Sequence, residues 1–273
     1  MSQQRNRIDP ASREPLEGLL AAIPGGFNSI SDIEQRRAVV GQLLVEPELD
    51  KNVTMEERLI PGAAGEQKIR IYHAKKSKKP APALVYIHGG GMMIGAAKMD
   101  DVLLAGLAAD LGILVVSPEY RLAPENPYPS AIDDCNEAWH FMLNNAANLE
   151  IDTKRIAIGG ESAGGGLAAG SVLRIHDEGG TQPIAQWLFC PMLDDRTALD
   201  RKLDEVNHFI WDNKLNLAGW TSYLGAQLGA DDVSAYAAPA RRKDLRGLPK
   251  AWIGVGDIEL FYEEDRSYAE GLK

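Results

Sequence analysis

The sequence has little of what marks secreted, membrane-spanning or nucleic-acid-binding proteins. Of its 273 residues only two are cysteines, Cys135 and Cys190, and both lie in apolar runs. Buried free thiols are therefore expected rather than disulfides. No apolar run approaches the length needed to cross a bilayer. Residues 1–7 are polar and are not followed by the apolar core of a signal peptide, which predicts a cytoplasmic location.

Basic residues are also in deficit, with 29 Lys and Arg against 39 Asp and Glu and a net charge of −10. This balance disfavours nucleic acids and anionic membranes as partners. Cysteine and histidine do not cluster at metal-ligand spacing, and neither a Walker lysine nor a dinucleotide fingerprint is present. We therefore expect no metal and no cofactor.

The hydrophobic pattern predicts one large α/β domain. Two amphipathic helices in residues 1–50, broken at Pro24 and Pro47, look like a cap. Residues 53–58 and 68–73 alternate in polarity, as edge strands do. Buried strands are then expected at 83–87, 113–117, 155–158, 185–189 and 251–255. Helices between them imply a mostly parallel sheet covered on both faces, with a core at 51–273 and a cap insertion at about 194–222.

The strongest local signal is the turn around Ser162. An apolar strand precedes it, a small-residue helix follows it, and Gly160 and Gly164 flank it at G-x-S-x-G spacing. A sharp strand-to-helix turn raises the serine above the sheet and aims free helix N–H groups at it. Ser162 is the candidate nucleophile; the alternative is a glycine-rich turn with an idle serine.

A second glycine-rich segment, His88 followed by Gly89, Gly90 and Gly91, comes directly after a buried strand. Glycines at the carboxyl end of a strand let backbone N–H groups approach a ligand closely. We assign the N–H groups of these glycines, together with that of Ala163, to an oxyanion hole. The alternative, a phosphate cradle, lacks its other sequence features.

An acid should follow the nucleophile in the chain at the carboxyl edge of the sheet. Asp257, just after the strand at 251–255, fits this position, and its alternative role is a helix cap. Asp194 and Asp195 are weaker alternatives. Five residues are candidates for the substrate pocket, although such side chains are also common in cores: Met92, Met93, Glu161, Phe209 and Trp211.

Four motifs together resemble the bacterial esterase branch of the hormone-sensitive-lipase-like α/β-hydrolases. They are HGGG at 88–91, YRLAPE at 120–125, GESAGG at 160–165 and GVGD at 254–257, and the resemblance runs from about residue 50 onward. It implies an α/β-hydrolase fold with a helical cap, Ser162 as nucleophile and Asp257 as acid. It also implies hydrolysis of short- to medium-chain carboxylic esters without cofactors, and a structural Arg121 ion pair.

The departure from this family is the catalytic histidine. The family places it beyond the acid, after one more strand and before a final helix, but no histidine follows Asp257 in this chain. We therefore expect a truncated, nearly inactive serine esterase, with residues 251–255 as an unpaired edge that could support a homodimer. The alternative is a non-catalytic binding module for a small ligand, as in the plant gibberellin receptor; a structural role of the exposed edge is a third hypothesis.

Overall fold

The computed structural model describes residues 2–23, 26–44, 48–206 and 208–273. Its centre is a seven-stranded sheet in the order β1-β2-β4-β3-β5-β6-β7. The strands are β1 (Val53–Gly62), β2 (Gly65–Ala74), β3 (Ala81–Ile87), β4 (Leu114–Pro118), β5 (Ile151–Glu161), β6 (Ala185–Phe189) and β7 (Lys250–Gly254). The α-helices are α1 (Ser2–Arg5), α2 (Pro10–Ala22), α3 (Ile33–Leu43), α4 (Asp101–Leu111), α5 (Ser130–Asn144), α6 (Ala163–Glu178), α7 (Asn213–Leu224) and α8 (Tyr262–Gly271).

The sheet is parallel from β4 through β7, and β1 and β2 join it antiparallel. This confirms the mostly parallel α/β-hydrolase fold expected from the sequence. One detail of that prediction was wrong, because β2 is not an edge strand. It lies between β1 and β4, and Ile69 and Ile71 are fully buried within it. The polar residues at the start of β2 obscured this in the sequence.

Helices cover both faces of the sheet. On one face, α5 and α6 bury Ile132, Trp139 and Leu167 in the main apolar core, together with Ile158 of β5. On the other face, α4 packs with Tyr86 and its neighbours in a second cluster. Since both faces of the central strands are covered, the strands read as continuous apolar runs in the sequence.

Helices α2 and α3 lie near the carboxyl end of β5, since Leu16 and Val40 line the same cavity as Ser162. Asp32 caps α3 by accepting a hydrogen bond from the backbone N–H of Gln35. Arg37 ties α3 to the core by donating to the carbonyl oxygens of Met93 and Ala123. Pro24 and Pro47, the predicted helix breaks, lie outside the described residues.

Strand β7 forms one edge of the sheet. In the described part of the chain it pairs with β6 alone. Trp252 on β7 and Phe189 at the end of β6 stack with ring centroids 6.5 Å apart, and they are 53% and 49% exposed. The sequence-based idea of a homodimer through this edge stays a prediction. Among the described helices, none has the length and apolar character of a membrane span.

Candidate active site

Ser162 occupies the turn between β5 and α6. Its backbone has φ 53° and ψ −121°, a strained conformation for a residue with a side chain. The turn is tight enough to exclude side chains on both flanks. A Cβ on Gly160 would lie 2.5 Å from the carbonyl oxygen of Gly164, and one on Gly164 would lie 2.0 Å from that of Ile87. The glycine spacing around Ser162 is therefore a steric requirement of this turn.

The glycine loop at residues 89–91 follows β3. Gly90 has φ 114°, and a Cβ there would lie 2.0 Å from the carbonyl oxygen of Ile94. His88 and Tyr120 support the loop: their rings stack with centroids 4.1 Å apart, and Tyr120 donates hydrogen bonds to the carbonyl oxygens of His88 and Gly89. Because these carbonyl oxygens are engaged on the core side, the loop is held in one conformation.

A cavity of about 440 Å³ opens at Ser162. Gly90, Glu161, Phe209 and Trp211 line it, as do several apolar residues of the N-terminal cap: Ile8, Leu16, Phe27 and Val40. The pocket prediction was wrong for Met92 and Met93, which are each 1% exposed and belong to apolar core clusters. The two methionines follow the glycine loop directly, but the chain turns them inward at Met92, whose φ is 60°.

The structure does not bring the carboxylate of Asp257 to the cavity. This side chain is 67% exposed, and its Oδ2 lies 2.7 Å from Nη2 of Arg7. Glu259, two residues further along the same loop, does line the cavity. Burial raises the pKa of Glu259, which indicates a partly dehydrated carboxyl. Sequence reasoning missed Glu259; the only available signal was a second acidic residue at the same carboxyl edge.

The other acidic alternatives have structural partners. Asp195 is fully buried and accepts two 2.8 Å hydrogen bonds from the guanidinium of Arg241. Asp194 pairs with Arg196 at 2.6 Å. The ion pair expected for Arg121 is present, with the buried Asp134 at 2.8 Å. These pairs hold loops and do not contribute to the cavity.

All five histidines belong to the described part of the chain, and none of them lines this cavity. Full burial lowers the pKa of His88 to about 4, and its Nδ1 donates to the carbonyl oxygen of Gly89, so this ring is a neutral support of the loop. His208 contacts the wall of the cavity, since its Nδ1 lies 3.1 Å from the carbonyl oxygen of Ile258. Its Nε2 is buried and has no hydrogen-bond partner among the described residues. Burial lowers the pKa of His208 as well. His73, His140 and His176 belong to β2, α5 and α6.

The two cysteines differ from each other. Cys135 is buried in the core as expected, but Cys190 is only partly buried and lines the cavity beside Ser162. Burial raises the pKa of the Cys190 thiol, so it stays protonated and is not activated.

In the described part of the chain, histidine, cysteine, aspartate and glutamate form no group able to hold a metal ion.

Known proteins resemble this chain over nearly its whole length. A family profile described as alpha/beta hydrolase fold matches residues 84–273. Carboxylesterase NlhH of Mycobacterium tuberculosis is 32% identical over 98% of this chain and 83% of its own length. A solved structure described as bacterial heroin esterase superposes with a TM-score of 0.85 at 36% identity, covering 94% of this chain and 83% of the other. An esterase from the archaeon Pyrobaculum calidifontis gives 0.82 at 28% identity, over 97% and 85%. The chain belongs to the α/β-hydrolase family, in its hormone-sensitive-lipase-like branch.

Proposed function

We propose that this protein is a serine carboxylic ester hydrolase in which Ser162 is the nucleophile. The observation that carries the proposal is the strained Ser162 turn, which opens with the glycine loop onto one apolar cavity. Relatives named carboxylesterase and esterase support the reaction class. The cavity volume of about 440 Å³ suits esters with short- to medium-length acyl chains.

In this mechanism, Oγ of Ser162 attacks the ester carbonyl carbon and the carbonyl oxygen becomes an oxyanion. In this proposal the backbone N–H groups of Gly89, Gly90, Gly91 and Ala163 stabilise that charge. Loss of one such donor typically costs ~3–4 kcal/mol of transition-state stabilisation. The ester C–O bond then breaks, and the alcohol leaves with the proton that Oγ has lost, which solvent or an added base carries between the two oxygens. Water then attacks the acyl-enzyme, which releases the carboxylic acid and restores the Ser162 hydroxyl.

For the acid of the site we favour Glu259 over Asp257. Glu259 lines the cavity in a partly dehydrated position, where its charge would act strongly on a neighbouring base. The carboxylate of Asp257 is instead engaged with Arg7 in an exposed ion pair. The Arg7–Asp257 contact joins the N-terminal cap to the loop after β7. In this arrangement Asp257 therefore helps to hold the cap in place.

The general base that should deprotonate Ser162 is the part of the mechanism for which the cavity offers no candidate among the described residues. Because no histidine among the described residues lines the cavity, the chain offers no imidazole there to take the proton from Oγ of Ser162. Removal of a triad histidine costs on the order of 10⁶ in turnover. We therefore propose that the chain hydrolyses activated esters close to the background rate. Added imidazole, a diffusible base, should raise the rate in proportion to its concentration.

Two measurements test the proposal. Mass spectrometry after prolonged treatment with a fluorophosphonate, with imidazole added as the base, should find the label on Ser162, and Ser162→Ala should remove it. Hydrolysis of p-nitrophenyl butyrate should be near background and should increase with imidazole, while Ser162→Ala should respond only as free imidazole does. Normal turnover without imidazole would contradict the missing base, and a label elsewhere would contradict the nucleophile.

A non-catalytic binding module is the second candidate, favoured by the absence of histidine from the residues that line the cavity. It predicts that small esters bind but that neither labelling nor imidazole-dependent hydrolysis occurs.

Two further expectations, on location and on dimerisation, remain proposals. The free Cys135 and Cys190 suit the reducing cytoplasm, and the exposed Trp252 and Phe189 suit a homodimer through β7.

A further inference from the structure

The carboxyl group of Glu161 lies directly against the glycine loop. Glu161 is the last residue of β5 and lines the cavity beside Ser162. A Cβ built on Gly89 would lie 3.2 Å from Oε1 of Glu161, so the carboxyl packs against the loop backbone. In the described part of the chain, the Glu161 side chain has neither a hydrogen bond nor an ion pair, and burial alone raises its pKa.

The position of the Glu161 carboxyl affects the stability of the oxyanion. An ionised Glu161 would repel the oxyanion that forms when Ser162 attacks an ester, because both charges would sit at the glycine loop in a partly dehydrated site. Glu259 adds a second carboxyl to the same cavity. The described residues that line the cavity include neither lysine nor arginine. The cap residue Arg7 is already engaged by Asp257. A positive charge to balance Glu161 would have to come with the substrate.

Aromatic rings line much of the same cavity as Glu161. Phe27, Phe209, Trp211 and Phe261 all line the cavity. The indole of Trp211 packs against the far end of the glycine loop, where a Cβ on Gly91 would lie 2.1 Å from Cη2. Two Cα atoms separated by one residue are at most about 7.6 Å apart. The Glu161 carboxyl and the Trp211 ring therefore contact the two ends of one three-residue loop and line the same cavity. Aromatic ring faces attract ammonium groups.

We propose that this cavity binds esters that carry a protonated or quaternary amine, with Glu161 as the counter-charge and the aromatic wall around Trp211 as the second contact. The inference rests on the proposed function of Ser162, whose oxyanion it concerns. In the complex the ammonium group neutralises Glu161, which removes the repulsion at the glycine loop. A neutral ester of the same shape leaves that repulsion in place.

The test compares two esters of nearly identical shape by isothermal titration calorimetry with the 273-residue chain. Acetylcholine carries a trimethylammonium group, and 3,3-dimethylbutyl acetate carries an uncharged tert-butyl group in its place. We expect acetylcholine to bind about tenfold tighter or more, a difference that one desolvated ion pair with a cation–π contact supplies. Glu161→Gln should reduce the ratio of the two affinities to within about twofold.

Glu263→Gln is the matched control, since it removes the same charge from a side chain on α8 that is 73% exposed. It should leave the preference for the cation intact, and the affinity of each variant for the neutral ester reports that its cavity is folded. Equal affinities in the unaltered chain, failure of acetylcholine to bind, or a preference that survives Glu161→Gln would each overturn the inference.

Fluorophosphonate labelling separates this inference from the proposed function. If Ser162 is labelled and the unaltered chain has no preference for the cation, the esterase proposal stands and the cationic site falls. If the preference depends on Glu161 but Ser162 is not labelled, the cavity binds cations and the esterase proposal falls, together with the role of the cation at the oxyanion.

Discussion

Gly164→Ala is the substitution that most directly tests the geometry of the Ser162 turn. Gly164 is the second residue of α6, and the new methyl group would meet the end of β3 rather than open space. Its Cβ would lie 2.0 Å from the carbonyl oxygen of Ile87 and 2.4 Å from that of His88. Both contacts are with backbone atoms, so neither can be relieved by rotation of a side chain.

The size of the effect follows from these distances. Real Cβ contacts are essentially never closer than 3.0 Å, so β3 and α6 must separate by about 1 Å where the glycine loop begins. Overpacking of this kind costs about 2–3 kcal/mol of unfolding free energy. For a chain of this size, that loss lowers the melting temperature by about 4–12 °C. The same movement shifts the glycine loop, so labelling of Ser162 should slow as well.

Thermal unfolding followed by circular dichroism measures the change, and Gly106→Ala is its control. Gly106 lies inside α4, and apart from the helix itself no atom lies within 4 Å of the position that its Cβ would take. Alanine there should therefore stabilise the protein by about 0.5–1 kcal/mol. The same chemical change thus has opposite signs at the two sites. If Gly164→Ala melts at or above the unaltered protein, the close approach of α6 to β3 is refuted.

Three further outcomes are expected. Arg241→Ala leaves the fully buried Asp195 without its partner and should cost about 3–5 kcal/mol in urea unfolding; a loss below about 1 kcal/mol would contradict the ion pair as a structural element. Burial raises the pKa of Asp265 from 3.8 to about 10, so the folded state holds a proton that the unfolded state releases, and stability should fall as pH rises from about 4 to 10. Asp265→Asn should flatten that dependence, and an unchanged pH profile would argue against it. Arg7→Ala breaks an exposed pair and should cost at most about 1 kcal/mol, whereas a large loss would mean that Asp257 is buried by the cap.

The order of strands and helices and the main features of the Ser162 turn could be predicted from the sequence. Buried parallel strands are continuous apolar runs, and these runs appear at nearly the positions that β3 to β7 occupy. The glycines around Ser162 could be interpreted equally well from the sequence, because only glycine fits where two backbone segments lie in direct contact. The match to residues 84–273 as an alpha/beta hydrolase fold agrees with both.

Which side chains reach the cavity was decided by the tertiary structure. The sequence predicts both Met92 and Glu161 as pocket residues, yet Met92 turns into the core and Glu161 lines the cavity. Asp257 and Glu259 lie two residues apart on one loop, yet only Glu259 lines the cavity, while Asp257 meets Arg7 from the other end of the chain.

The physical reason is the range of the interactions involved. Apolar periodicity and glycine sterics act between residues close in sequence or within one element, so they leave a pattern in the amino-acid order. The direction of a loop side chain depends on packing and charge partners that are up to 250 positions away, as for Arg7 and Asp257. Such partners are brought together only when the sheet and the cap have assembled.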